Sequence, residues 1–483
     1  MSRFPSFWIA LLVAYGGALA AAQEARPPFD PKRPPERELE MTTLGSFTLA
    51  AVGDCIISHP LTPLLAGDRD FAFVVDILRA ADATFGNFEN SAIDFRRFEG
   101  FPHRTPGDWA LVASPEVADD LKRMGFDLFS RANNHAMDWG FEGMRETSRH
   151  LDEAGLVHAG VGESRAQARA PRYLETPRGR IAIVSMASTY RQGADALPPS
   201  SQAPGRPGLS PVRTTRTTVV PPDIFDALRK IQERIEAAKD ESLREKPPSE
   251  EKAPSEISLF GEKFRSGERL GSDYAIHPVD RQEILKSIRI GKQNADFLLA
   301  TIHAHQTDVA TGAPGNFLPE LAHAAIDAGA DAFVGHGVHK LGPIEIYKGR
   351  PIFYSLANFF WSDIQEPMPA DHFEEHWDLL KEVFGDPLKA TDADLAALLN
   401  ARGFSDEKVF QTVVAVSRFE GGKLAEIRLY PVDLGYGRTL TQSGVPRLAS
   451  PEMGRQILER LRTQSRPYGT SIAVEGNVGV VRP

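Results

Sequence analysis

Two rhythms of apolar and polar positions share most of the chain. Short apolar runs bounded by glycine or polar turns read as strands, and amphipathic stretches at helical spacing separate them. The first run, Phe47-Thr48-Leu49-Ala50-Ala51-Val52, ends at Gly53-Asp54. Helical periodicity follows at residues 71–81, and a run at 82–90 breaks into Gly86-Asn87-Phe88-Glu89-Asn90. Residues 115–124 predict a helix, 126–130 a buried strand and 141–154 a helix; a glycine turn at 158–162 and a strand at 180–186 follow. The rhythm resumes with a helix at 280–293, a strand at 296–303, a helix at 318–328 and a strand at 330–336. Strands at 344–347 and 352–356 come next. Those at 410–416 and 424–430 flank Glu420-Gly421-Gly422-Lys423, a hairpin signal. The tail carries one helix at 452–462 and then turns irregular. Alternation of β and α first, with antiparallel strands late, predicts an α/β fold: a layered sandwich whose sheets meet at the centre.

Three segments depart from that pattern. Residues 1–22 have a basic start at Arg3, an apolar stretch over 7–20, and small-x-small sites at Ala18-Leu19-Ala20 and Ala20-Ala21-Ala22. That is the pattern of a signal peptide, an uncleaved anchor being the alternative, and it predicts an exported protein, periplasmic or extracellular, soluble or loosely membrane-associated. Residues 23–45 are a proline-rich, charged linker. Residues 190–280 begin rich in proline, serine and threonine and continue as a charged helical stretch over 223–254. They read as an insertion, partly disordered, with a solvated helix. The domain boundaries expected from this are 46–361 for the main domain and 362–483 for a C-terminal extension that includes the last strands of the sandwich, 410–431.

Composition narrows the function. With 55 basic against 65 acidic side chains and a net charge of −10, the chain has no electrostatic case for nucleic acid. Cys55 is the only cysteine, so no intramolecular disulfide forms; it reads as a small buried residue.

The polar groups that follow the apolar runs are the candidate chemistry: Asp54, Asn87 and Glu89, Asn134, His135 and Asp138, His303 and His305, His336 and His339. In a sheet whose strands end on one edge they would converge. Carboxylate, amide and imidazole donors together suit Mn²⁺, Zn²⁺ or Fe²⁺. A carboxylate can bridge two such ions, which would activate water and neutralise charge on a phosphoryl-like transition state. Each group also has a bland reading. Asp138 could be a helix N-cap, Gly53-Asp54 a structural turn, and Gly335-His336-Gly337-Val338-His339 a glycine turn with surface histidines. A turn after His303 would separate it from His305 and leave one of the two as a ligand. No Gly-x-Ser-x-Gly, phosphate-loop or Cys-x-x-Cys motif competes. A two-carboxylate glycosidase leaves no signature, but it would not explain the histidines.

Val52-Gly53-Asp54, Gly86-Asn87-Phe88-Glu89-Asn90, Asn133-Asn134-His135 with Asp138 and Gly140, His303, Gly335-His336 with His339, and Tyr354-Ser355-Leu356-Ala357-Asn358-Phe359 occur in that order. The series resembles the CapA family of bacterial capsule (poly-γ-glutamate) biosynthesis proteins, similar in fold to calcineurin-like metallophosphoesterases. The resemblance implies a four-layer α/β/β/α sandwich with a metal cleft at the strand ends. It implies Asp54, Glu89, Asn134, His303, His336 and His339 as metal ligands for one or two ions, and His135 as proton donor held by Asp138. The family usually shows His-Trp-Gly-x-Glu where this chain has His303-Ala304-His305-Gln306-Thr307, and Gly-His-His-Pro-His where it has Gly335-His336-Gly337-Val338-His339. The function expected is a metal-dependent hydrolase acting on a phosphoester or an anionic envelope polymer, with membrane proteins of polymer synthesis as further partners. A non-catalytic envelope protein that assists synthesis, export or anchoring of the polymer is the alternative.

Overall fold

The computed structural model describes residues 41–103, 109–239, 255–362, 370–403, 406–439 and 441–483. The expected signal peptide, and the linker up to residue 40, lie outside the described residues. Among those described, no helix is long and apolar enough to cross a membrane.

Apolar runs build two sheets because both faces of each strand are covered. In the first strand, Ser46–Ile57, Leu49 and Ala51 face one way and Ala50 and Val52 the other. Ala50 and Val52 meet Phe71, Val74 and Leu78 of the helix Arg69–Arg79 and Leu121 of Glu116–Arg123. Leu49 and Ala51 meet Ile181, Ile183, Leu299 and Val334 of the second sheet. Within that sheet Ala182, Val184, Leu298 and Ala300 turn outward, onto Ile284 and Ile288 of Pro278–Gln293 and Leu321 and Ala325 of Phe317–Asp327. A period of two on each strand thus produces four layers, α/β/β/α. Phe297 ties the middle together, its ring 4.9 Å from both Phe47 and Phe419.

The first sheet runs Ala473–Glu475, Val478–Val481, Lys423–Asp433, Gln411–Glu420, Ser46–Ile57, Ala83–Phe88, Leu128–Ser130, Val157–Ala159, and Asn358–Ser362 also pairs with Ser46–Ile57. The second runs Ile344–Tyr347, Arg350–Phe353, Ala332–Gly337, Phe297–Ala304, Gly179–Ala187, Arg172–Thr176. Within each sheet the strands that carry the candidate residues are parallel to one another, so their carboxyl ends share an edge.

Several expectations need correction. The first strand does not stop at Gly53-Asp54; it continues to Ile57, and its register shifts on both sides of Asp54. Such a bulge re-aims a side chain without ending the strand. The strand expected at 352–356 lies at Arg350–Phe353, and a further strand, Asn358–Ser362, follows it. The tail is not irregular beyond its helix, because Ala473–Glu475 and Val478–Val481 extend the first sheet. Within 190–280 the helix Pro222–Ala238 is solvated, burying only Phe225. Beside it, however, Glu256–Leu259, Glu262–Ser266, Thr214–Val220 and Gly271–Ile276 form a four-stranded sheet. The β-branched run Thr214-Thr215-Arg216-Thr217-Thr218-Val219-Val220 was the overlooked signal. Asp280 clamps this region to the body: its buried carboxylate accepts from Arg169 at 2.7 Å and from the Arg213 side chain at 2.7 and 2.8 Å.

Candidate metal centre

Strand register assembles the site. In the first sheet Asp54 stands opposite Asn87 on one side and Asn358 on the other. In the second, His303 stands opposite His336. The two rows face each other. Asp54 Oδ1 lies 3.4 Å from His336 Nδ1 and 3.8 Å from His303 Nδ1, and Oδ2 lies 3.5 Å from His339 Nδ1. Glu89 Oε1 is 3.6 Å from His303 Nε2. Two triads result, Asp54–His303–His336 and Glu89–His305–His339, and within each the donor atoms lie inside 4.8 Å of one another.

Close backbone packing is the condition for this convergence. A Cβ on Gly53 would fall 1.8 Å from the Ala357 carbonyl oxygen, the atom that accepts the Asp54 N–H at 2.8 Å. A Cβ on Gly335 would fall 2.4 Å from the Tyr354 carbonyl oxygen. Ala357 and His339 themselves take left-handed backbone, with φ of 57° and 56°. Non-glycine residues hold that conformation only where the surroundings over-determine it.

Each donor is aimed by a second contact. Asn87 Nδ2 donates to Asp54 Oδ1 at 2.8 Å, and the Gly337 N–H donates to Oδ2 at 3.0 Å. Asn133 Nδ2 donates to Asn87 Oδ1 at 3.1 Å, and its own Oδ1 accepts the His135 N–H at 3.1 Å. Thr301 Oγ1 sits 2.9 Å from His336 Nε2, which leaves Nδ1 toward Asp54 and His303. Asn358 Oδ1 accepts from His339 Nδ1 at 2.8 Å, leaving Nε2 as its donor atom. Such contacts fix tautomer and ring orientation for metal binding.

Charge states follow from burial. Burial alone would raise the Asp54 carboxyl, but its bond to His339 and the fields of His336 and His303 hold it well below the usual carboxylate range. Burial, reinforced by His305, pushes His303 well below its usual value, and burial brings His336 down to about 4. At neutral pH Asp54 is therefore an ionised carboxylate and His303 and His336 are neutral imidazoles, the forms that ligate a cation. Burial, together with the charges of Asp54 and Glu89, pushes the Cys55 thiol up, so it stays a small apolar residue. Asn134 Oδ1 is buried and accepts no hydrogen bond among the described residues, as suits an oxygen reserved for a ligand. The donor set fits a divalent ion of the borderline class.

His135 stands at the rim. Its Nδ1 lies 2.8 Å from Asp138 Oδ2, and its Nε2 faces the centre 4.0 Å from Glu89 Oε1. Asp138 is not the helix cap: Trp139 occupies that position and makes no side-chain cap bond. The carboxylate instead takes the Leu111 N–H at 2.7 Å and stands 2.9 Å from Arg191 Nη2.

All eight residues to which the family resemblance gives a role therefore lie around one strand-end edge or in the loop beside it. Sequence reasoning named His305 as a candidate but left it out of the ligand set; its Nε2 comes within 2.9 Å of His303 Nε2 although the strand ends at Ala304. The turn that was expected to part the two histidines folds back on the cluster. Sequence reasoning missed the support residues Thr301, Asn358 and Arg191. Arg191 lies four residues beyond the end of Gly179–Ala187, the strand-end position used for the others, but it had been absorbed into the insertion. A cavity of about 760 Å³ opens beside His305 and His339 and reaches Lys340, Tyr354, Gln464 and Tyr468, so residues at the end of the helix Pro451–Ser465 and just after it supply part of its wall. That volume is in the usual range for a small-molecule cleft.

The family model described as bacterial capsule synthesis protein PGA_cap matches residues 48–362. The uncharacterized protein y4sH of Sinorhizobium fredii is 44% identical over 446 residues, 90% of this chain and 93% of that protein. The PGA biosynthesis protein CapA of Bacillus subtilis is 27% identical over 311 residues, 64% of this chain and 61% of that protein. The capsule biosynthesis protein CapA of Bacillus anthracis is 25% identical over 318 residues, 65% of this chain and 59% of that protein. The matched span holds every residue of both triads together with His135, Asp138 and Asn358. The chain thus belongs to the bacterial capsule synthesis family PGA_cap, the CapA-like family of capsule and poly-γ-glutamate biosynthesis.

Proposed function

We propose that this chain is an exported, metal-dependent hydrolase that acts in the making of a capsule or poly-γ-glutamate-type polymer, on a phosphoester or on a bond of the anionic polymer itself. The observation that carries this reading is the pair of adjoining triads, Asp54–His303–His336 and Glu89–His305–His339, with His135 beside them. Divalent ions there, Mn²⁺, Zn²⁺ or Fe²⁺, would supply activation of water and neutralisation of charge on the attacked group.

The chain's own groups do the rest. Asp138 fixes His135 at Nδ1 and turns its Nε2 toward the centre, so that in its imidazolium form the ring would be placed to protonate a leaving group from Nε2. Leu111 N–H and Arg191 brace Asp138 and so hold the imidazole on line. The adjoining cavity offers Lys340 and the Tyr354 and Tyr468 rings to the remainder of the substrate. The polymer side of the proposal rests on the relatives named for PGA and capsule biosynthesis.

A non-catalytic role in polymer synthesis, export or anchoring is the second reading, favoured by the missing carboxylate of the family's His-Trp-Gly-x-Glu motif. Against it, His305 stands at that motif's glycine position and adds an imidazole to the centre. The test is the metal content of the full chain, purified without chelator or affinity histidines, followed by a phosphoester and polymer hydrolysis screen. Near-stoichiometric Mn, Zn or Fe, lost in His336→Ala, is expected, with hydrolysis abolished in Asp54→Ala and His135→Ala. Folded alanine variants that leave hydrolysis and polymer formation unchanged would end the catalytic reading.

A further inference from the structure

A second group of metal-type ligands lies outside the strand-end centre, in the C-terminal part of the chain. Residues 370–376 read Ala370-Asp371-His372-Phe373-Glu374-Glu375-His376. A helix covers Ala370–Glu375, and the His376 N–H continues the turn by donating to the His372 carbonyl at 3.2 Å. His372, Glu375 and His376 therefore occupy positions i, i+3 and i+4, which share one helical face. The two imidazole planes are 9° from parallel, with centroids 6.1 Å apart. One donor atom from each of the three residues falls within 4.8 Å of the others.

Orientation and burial add independent support. His376 Nδ1 sits 2.9 Å from the His372 carbonyl oxygen. Donation there fixes the tautomer with Nε2 bare, the arrangement typical of a metal-bound histidine. His372 is 2% exposed and packs against the Trp109 indole, ring centroids 5.7 Å apart, whereas Glu375 is exposed and His376 half-buried. One ligand is thus anchored in the core and two stand where solvent delivers an ion. His-x-x-Glu-His on a helix holds zinc through its two histidines, i and i+4, in one class of metallopeptidases, with the glutamate serving there as a base; here the Glu375 carboxylate lies close enough to both imidazoles to be a third donor.

We infer that His372, Glu375 and His376 form a divalent-cation site, for Zn²⁺ or a similar borderline ion, separate from the strand-end centre. Two imidazole nitrogens and a carboxylate oxygen match the zinc donor set, and three protein ligands leave a fourth position for water. The ion crosslinks the turn that joins Ala370–Glu375 to the next helix, Trp377–Phe384. It also steadies Trp109, whose carbonyl oxygen accepts from Arg191 at 2.5 Å, and Arg191 in turn faces Asp138. A path of contacts thus runs from the site to Asp138, the residue that orients His135.

The experiment is a Zn²⁺ titration of the chelator-stripped full chain, carrying no affinity histidines, read by competition with a chromophoric chelator. Wild type, His376→Ala, Glu375→Gln and His336→Ala are compared. His376→Ala is expected to bind one Zn²⁺ fewer than wild type and to gain less melting temperature on Zn²⁺ addition. His336→Ala is expected to lose strand-end metal and to keep this site, so failure of the proposed hydrolase centre and failure of this inference are told apart. If His376→Ala does not fold, Glu375→Gln at its exposed position carries the same comparison, with weakened binding of that one equivalent as the expected result. Equal Zn²⁺ stoichiometry and affinity in wild type and the folded variant would overturn the inference.

Discussion

Replacing Asp280 with asparagine tests how the inserted region is held to the body. The carboxylate is fully buried; Oδ1 accepts from Arg169 and Arg213 Nη2, and Oδ2 from the Arg213 backbone N–H and Nε. Burial alone would raise its pKa, but the bonds to Arg213 and Arg169 prevail and bring it down from 3.8 to about 2. A folded value below the unfolded one means that the stabilisation is full above the unfolded pKa and is lost as pH falls through the folded one. A shift from 3.8 to about 2 is worth about 2.4 kcal/mol at pH 7 and roughly half of that at pH 3. Asp280→Asn keeps the shape and removes the charge, leaving the buried Arg169 guanidinium and the partly exposed Arg213 short of a partner. Breaking a buried pair in this way costs about 3–5 kcal/mol. Urea unfolding of wild type and variant in parallel, from pH 7 to pH 3, measures the difference. It is expected to hold steady between pH 7 and 5, then to shrink by about 1 kcal/mol on reaching pH 3. A difference under about 1 kcal/mol at pH 7, or one that ignores pH, would refute the reasoning.

Two further outcomes bear on the centre itself. Gly53→Ala drives a Cβ into the Ala357 and Leu356 carbonyl oxygens, at 1.8 and 2.7 Å, so the Asp54 bulge must move. A loss of at least about 3 kcal/mol is expected together with loss of bound metal, and a melting temperature within about 2 °C of wild type would contradict it. Thr301→Val keeps the shape but removes the hydroxyl beside His336 Nε2. Metal affinity should fall by about 10- to 100-fold with the fold intact, and an unchanged competition titration would show that Thr301 does not orient His336.

How much of this was legible beforehand differs from residue to residue. The α/β class could be read because period-two apolar runs and helical stripes alternate over much of the chain, and buried parallel strands leave strong runs such as Phe297-Leu298-Leu299-Ala300. The weak elements escaped. Strands of three or four residues, such as Ala473–Glu475, are too short for a period to show. The Thr214–Val220 strand was hidden inside a compositional reading of the insertion. At the site, residue type pointed to Asp54, Glu89, His303, His336 and His339, because carboxylates and imidazoles directly after apolar runs ask for partners.

By itself, then, the sequence determined local matters: which segments are strands, which residues are chemically fit to bind a cation, and which family motifs occur in order. The tertiary structure alone decided which of them meet. Asp54 and Gly337 are 283 residues apart yet hydrogen-bonded, since a bulge turns one strand edge toward the other sheet. His305 joins the centre through a turn whose return path no periodicity encodes, and Arg191 reaches Asp138 from what composition marks as an insertion. Local patterning constrains φ, ψ and burial over a few residues, whereas sheet-to-sheet packing sets contacts across hundreds, and a metal centre is made of the second kind.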